Sequence, residues 1–185
     1  MFNKEIFELP ITIEGENAII TRREHIHDED LWNLINNSRE FLRPWLFWVD
    51  KTKSVDDVRT ITDLFLKKWH NHDSFEYVVL DKVSKNLVAA GGVNVLDYRD
   101  HIACFGYYRD EKASGRGYVT ELVRLLEKEL EKRKVHRVVI SADVENIPSQ
   151  NVAIRCGYER EGISKESIFD GEKYKDRVIF AKIFA

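Results

Sequence analysis

The stretch Ser114-Gly115-Arg116-Gly117-Tyr118-Val119-Thr120-Glu121 constrains this chain more than any other, because of what flanks it. Before it runs an apolar, strand-like segment, Ile102-Ala103-Cys104-Phe105-Gly106-Tyr107-Tyr108. After it, Val119, Leu122, Val123, Leu126 and Leu130 recur at helical spacing and mark one apolar face. A glycine-containing turn between a strand and a helix start is suited to holding phosphate. Glycine lets the backbone approach closely, and the first helical turn offers free N–H groups and the positive end of the helix dipole. The same eight residues also read as an ordinary tight connection. No Lys-Ser/Thr follows the last glycine, which argues against a Walker-type loop. A G-x-G-x-x-G run with an acidic residue about 20 positions on is also missing, so a dinucleotide fold does not fit.

The segments around this turn predict a β-α-β crossover. Val135 to Ala142 is a β-branched run expected to return parallel to Ile102–Arg109, with a phosphate ligand at the carboxyl ends of the pair. Leu9 to Thr21 alternates around Gly15 as a first hairpin. Asp28 reads as the N-cap of a helix through Ile35, and Ser54 as the cap of another through Trp69. Pro44 limits any helix through the aromatic run Phe41–Trp48. Strands are expected at 75–80 and 87–96, then a helix from Asn146 closed by Gly157, and a final hairpin around Phe169–Glu172. The sum is a mixed sheet with helices on its faces, an α/β fold.

With 185 residues, three prolines and no Gly/Ser-rich tract, residues 1–185 are expected to form a single domain. A net charge of −3 gives no basic surface for nucleic acid. No apolar run approaches the ~18–20 residues of a membrane span, and no signal-peptide pattern opens the chain. Met1-Phe2-Asn3-Lys4-Glu5 reads as the start of a cytoplasmic protein, in which Cys104 and Cys156 are expected as reduced thiols.

The order of elements, with these residues, resembles the GNAT acyltransferase superfamily over nearly the whole chain. The family's Gln/Arg-x-x-Gly-x-Gly/Ala pyrophosphate signature falls on Ser114–Val119, keeping Gly117 and departing at Ser114 and Val119. Asn146-Ile147-Pro148-Ser149 through Arg155-Cys156-Gly157-Tyr158 is similar to its N-x-x-S…(K/R)-x-G-(F/Y) segment. Leu42-Arg43-Pro44-Trp45-Leu46-Phe47-Trp48 resembles the L-R-x-W-L-P-W segment of Rim-type ribosomal-protein N-terminal acetyltransferases, with Phe47 in place of proline. Phe105-Gly106-Tyr107-Tyr108 is similar to their G-Y-W strand. Glu161-Gly162-Ile163 and Tyr174-Lys175-Asp176 fit their C-terminal hairpin.

The resemblance implies a three-layer, mostly antiparallel sheet with a splayed parallel strand pair and helices on both faces. It implies acetyl-CoA as co-substrate, with no metal, and an amine acceptor such as a ribosomal-protein N-terminus. A homodimer is compatible with it. The pyrophosphate would rest on the N–H groups of Gly115, Arg116, Gly117, Tyr118, Val119 and Thr120. Tyr107 and Tyr108 would supply main-chain oxyanion donors, and Asn146 would flank the pantetheine arm. Ser149 would serve the departing sulfur; equally, it reads as a helix-start hydroxyl satisfying a local N–H. Trp45, Trp48 and Tyr174 would line the acceptor site, although the tryptophans also read as core or dimer surface and Tyr174 as packing under the sheet.

Acetyl transfer needs a neutral amine, a stabilised carbonyl oxyanion and a leaving thiolate. An α-amine, with pKa about 7.7–8.0, is roughly one-tenth neutral near pH 7, whereas a lysine amine is neutral about once in 2,000. An α-amine acceptor therefore asks little of a base. The position before Phe105, often Glu in the family, is Cys104 here, and no other base is unmistakable. A small-molecule amine, such as a polyamine or an antibiotic, is the alternative acceptor. A non-catalytic acyl-CoA-binding module is the alternative of another class.

Several features read as structural. His25-Ile26-His27 and His70-Asn71-His72 have metal-like spacing but no further ligands to complete a set. Glu127 to Lys134 reads as a solvated helix face, and both cysteines as small buried apolar residues.

Overall fold

The crossover expected around the glycine turn lies at the centre of the fold. β5 (Ile102–Arg109) runs into the turn, α4 (Tyr118–Lys132) follows, and β6 (Arg137–Asp143) returns parallel to β5. The computed structural model describes residues 4–184. Met1–Asn3 of the segment read as a cytoplasmic start lie outside the described residues. α4 buries Val119, Leu122, Val123, Leu126 and Leu130 against the sheet. Each such side chain contributes about 1.5–3 kcal/mol by leaving water.

The remaining strands are β1 (Thr12–Glu14), β2 (Ala18–Arg22), β3 (Phe75–Asp81), β4 (Leu87–Asp97), β7 (Glu159–Phe169) and β8 (Tyr174–Ile183). They form one sheet in the order β1-β2-β3-β4-β5-β6-β8-β7, antiparallel except for β5 and β6. Parallel pairing runs from Ile102↔Arg137 to Phe105↔Ile140 and stops, although both strands continue. β5 keeps β4 as neighbour to Arg109, and β6 keeps β8 to Asp143. The two halves of the sheet therefore part beyond Phe105 and Ile140.

Side chains on one face of the sheet pack with α4 and α5 (Ile147–Arg155). The opposite face carries α1 (Asp28–Asn37), α2 (Arg39–Leu42) and α3 (Val55–His70). The result is three layers, as the resemblance implied. Ser54 caps α3, its hydroxyl accepting from Asp57 N. Among the described residues no helix is long and apolar enough to cross a membrane.

Two local readings are corrected. Asp28 is not a cap but the buried first residue of α1, accepting from Thr62 Oγ1 at 2.6 Å and pairing with His25 Nδ1 at 2.8 Å. A single 3-10 turn at His25–His27 precedes it, held by a capping box between Glu24 and His27. The charge run on α4 is also not wholly solvated. Glu127 and Glu129 are buried, the first paired with Lys182 across to β8 and the second with Lys132 and Arg133.

Glu76, on β3, is a buried acid on the face that α1–α3 cover. Burial pushes its carboxyl up to about 7, against the opposing pull of Arg23 and Lys68. The native chain thus keeps a proton that the unfolded chain releases near the ordinary value of 4.5. Stability contributed here falls as pH rises between these values and is constant above them. Glu76→Gln is expected to gain on the wild type by up to about 3 kcal/mol between pH 5 and pH 8, read by urea unfolding. A difference that does not grow with pH would refute the burial account.

Candidate active site

Where β5 and β6 part, a cleft of about 1350 Å³ opens across their carboxyl ends. The glycine turn and the first turn of α4 form one wall, the start of α5 another, and the aromatic segment with β8 the mouth. Gly115 and Gly117 have φ of 76° and 81°. A Cβ at either would meet nothing within 4 Å, so the left-handed backbone rather than crowding calls for glycine. Gly117 is the N-cap of α4 and has no side chain to cap it. The N–H groups of Tyr118, Val119 and Thr120 therefore lack intrahelical acceptors, next to the positive end of a 15-residue helix.

Arg109, at the end of β5, holds this turn in shape. Its guanidinium donates to the carbonyls of Asp110 and Glu111 at 2.9 and 3.1 Å and to Ser114 Oγ at 3.0 Å. It also lies over the Phe41 ring at 4.5 Å. Ser114, the departure from the family signature, is thus a link between the turn and β5. Tyr118 turns its side chain away and donates to Asp81, whose carboxyl this bond holds well below the usual range. Thr120 Oγ1 accepts from Arg155 Nε at 3.4 Å and joins α4 to α5, while Arg116 is exposed at the cleft edge.

Strand alternation decides which amides enter the gap. Asp110 N donates to Val88 O at 2.9 Å, so the even-numbered residues of β5 from Gly106 onward bond to β4. The N–H groups of Tyr107 and Arg109 point instead towards β6, which is no longer paired there. Tyr107 turns its amide to the gap, and Tyr108 does not. Its amide belongs to β4, and its ring contributes to the α1–α3 side of the core.

Asn146 caps α5, its Oδ1 accepting from Ser149 N at 3.1 Å. Its amide NH2 is left for a ligand, so cap and pantetheine contact are compatible roles for one side chain. Ser149 Oγ lies 3.2 Å from the Tyr107 hydroxyl, so its partner is a phenol rather than a local N–H. Burial pushes the Tyr107 phenol up to about 12.

Trp45 lines the cleft, but Trp48 does not. Trp48 packs edge-on against Tyr108, with centroids 5.3 Å apart, under the cleft floor. Tyr174 is 64% exposed and rests on Phe169 outside the cleft. These two expectations are corrected: the turn before Val49 packs Trp48 on Tyr108, and strand alternation sends Lys175 inward in place of Tyr174. Lys175 Nζ sits 3.3 Å from Asp170 and 3.5 Å from Asp143 and donates to Pro44 O at 3.4 Å, tying β8 to the aromatic segment. Burial opposes its charge, but Asp170 and Asp143 outweigh burial and raise its pKa. Asp170 itself is lowered to about 2, by the N–H groups of Lys173 and Glu172 first.

Cys104 is half-buried and lines the cleft, and burial raises its pKa; Cys156 is buried and pushed up to about 11. Neither thiol is set up as a thiolate nucleophile. Among the described residues no group of three or more His, Cys, Asp or Glu could hold a metal ion.

Sequence reasoning missed Arg109, Asp143 and Lys175. Asp143 could have been found as the residue ending a parallel strand, the place where ligands collect in open sheets. Nothing in the local pattern of Lys175 announces that the hairpin folds it over Pro44.

Comparison with known proteins follows the same lines. Residues 19–159 match the family described as "Acetyltransferase (GNAT) domain". The ribosomal protein uS5-alanine N-acetyltransferase of Escherichia coli (strain K12) is 24% identical over 162 residues, 84% of each chain. The ribosomal-protein-serine acetyltransferase of the same organism is 25% identical over 158 residues, 85% of this chain and 87% of that one. Among solved structures, the microcin C7 self-immunity acetyltransferase MccE, in complex with acetyl-CoA and AMP, superposes with a TM-score of 0.90. Its identity is 21%, covering 95% of this chain and 98% of that one. RimL, a ribosomal L7/L12 alpha-N-protein acetyltransferase in complex with coenzyme A, gives 0.88 at 20% identity, covering 94% and 98%. These likenesses establish the fold.

The turn generates a direct test. Gly117→Ala is expected to cost about 1–2 kcal/mol of stability, because an L-residue must take the left-handed conformation with no new contact in return. Denaturant unfolding reads this, and an unchanged midpoint would mean the turn has another conformation.

Proposed function

The chain belongs to the GNAT acetyltransferase family, and on that premise we propose that it transfers acetyl from acetyl-CoA to a protein N-terminal α-amine of the ribosomal-protein type. The carrying observation is the end of β5–β6 pairing at Phe105 and Ile140, beside the uncapped start of α4. One end of the cleft offers unpartnered amides suited to a diphosphate, and its middle offers the Tyr107 N–H to a thioester carbonyl. Residues 1–185 act in this reading as one catalytic domain.

In the reaction the Gly117–Thr120 amides anchor the co-substrate, supported by the Arg109-braced turn. Asn146 and the start of α5 flank its arm. The amine nitrogen attacks the carbonyl carbon, the oxyanion forms against Tyr107 N–H, and the electron pair of the broken C–S bond goes to sulfur. Ser149 hydrogen-bonds that sulfur. Direct transfer fits better than an acyl-cysteine, because both thiols are biased towards the protonated form.

The acceptor enters past Trp45 and Lys175. Beside the splay, Asp143 is engaged by Lys175, and Cys104 occupies the strand position before Phe105. A site so short of base suits an amine of pKa about 7.7–8.0 better than a lysine side chain. Two relatives named for alanine and serine of ribosomal proteins support the same acceptor class. The acidic pair Asp143 and Asp170 at the mouth is the one observation favouring a small polyamine instead.

Thiol release from acetyl-CoA, measured across free and N-blocked peptides, polyamines and aminoglycosides, decides the acceptor. Turnover is expected on free peptide N-termini and not on blocked ones. Activity on polyamines alone would remove the α-amine reading, and calorimetric CoA binding with no turnover on any amine would leave a binding module. Ser149→Ala is expected to lower kcat about 10- to 100-fold, the loss of one hydrogen bond to the leaving sulfur, while leaving CoA affinity near wild type.

A further inference from the structure

We infer that Tyr107 is a positioning residue for Ser149, its phenol donating to Ser149 Oγ so that the serine's single hydroxyl proton is free for the leaving sulfur. The inference rests on the reading above that Ser149 faces that sulfur. The Tyr107 hydroxyl sits 3.2 Å from Ser149 Oγ and also 3.2 Å from the Ser149 carbonyl oxygen. A phenol has one proton to give and the carbonyl oxygen can only accept, so the pair has two arrangements. In one, the phenol donates to the carbonyl and the serine donates to the phenol, which occupies the serine proton. In the other, the phenol donates to Oγ and the serine proton points elsewhere.

The second arrangement gains a hydrogen bond once an acceptor such as a thioester sulfur lies within reach, and loses none that the carbonyl needs. That carbonyl belongs to the first turn of α5 and is bonded within the helix. Both partners are held by neighbours. Asn146 Oδ1 holds the Ser149 amide, and the Tyr107 ring packs against the core on the α4–α5 side of the sheet. Burial, opposed in part by the bond to Ser149, keeps the phenol protonated throughout any working pH range. The tyrosine therefore remains a donor while the N–C bond forms, the C–S bond breaks and the surplus amine proton leaves to solvent.

A double-mutant cycle on kcat tests this, with the wild type, Tyr107→Phe, Ser149→Ala and the double variant. Tyr107→Phe keeps the ring and is expected to lower kcat about three- to tenfold, with KM for acetyl-CoA little changed. The double variant should match Ser149→Ala alone, because a phenol acting only through Ser149 has nothing left to act on, and the Tyr107 N–H is kept in every variant. Losses that multiply would overturn the positioning role while leaving Ser149 in place. A Ser149→Ala enzyme with wild-type kcat would overturn the sulfur-facing reading and the positioning role with it.

The donor supplies a second readout that a loss of packing would not move. With the acetyl thioester of an electron-poor aryl thiol, whose sulfur needs little help to leave, Ser149→Ala and Tyr107→Phe should both approach the wild type. A Tyr107→Phe deficit of the same size on both donors would overturn the inference.

Discussion

The structure depends on one interruption of pairing. β5 and β6 share hydrogen bonds through Phe105 and Ile140, then each keeps its outer neighbour and abandons the other. A backbone that leaves a sheet must do something with its amides, since a buried and unpaired N–H costs about what a lost hydrogen bond costs. Here the interruption opens onto a cleft, where Tyr107 N–H can meet a ligand oxygen. The parting strands and the cleft across their carboxyl ends are a single feature.

The other walls of the site are fastened to this gap by side chains far apart in sequence. Arg109 reaches from the last residue of β5 to Ser114 and stacks on Phe41, so it ties the strand to the glycine turn and to the helical layer. Thr120 and Arg155 join the two helices that face each other across the cleft. Lys175 closes the far side by tying two carboxylates and the Pro44 carbonyl. Each link is modest, but together they hold donors in place before a ligand arrives, which is where electrostatic stabilisation of a developing oxyanion comes from.

The legible part of the site was main chain. Gly115 and Gly117 announced a left-handed turn, and Val119 to Leu130 announced the helix whose start it feeds. Both are local consequences of residue type, so they could be read directly. Asn146 and Ser149 were singled out through a family segment, and the structure gives them partners that the segment does not describe, notably the Tyr107 hydroxyl. Trp48 and Tyr174 were misplaced for one reason. A residue type suited to a cleft wall says nothing about which side of a helix turn or hairpin it faces. Asp28 misled differently, since an acid before a helix reads as a cap whether its partner is a backbone N–H or, as here, the hydroxyl of Thr62.

By itself the sequence determined the order of elements, the parallel crossover and the phosphate-type turn, because periodicity and glycine placement act over a few neighbouring residues. Only the tertiary structure decided where the parallel ladder ends, which tyrosine turns its amide to the gap and that a lysine bridges Pro44, Asp143 and Asp170. Those outcomes depend on register and on contacts between segments far apart in sequence, where side-chain partners are set by geometry that no local pattern encodes.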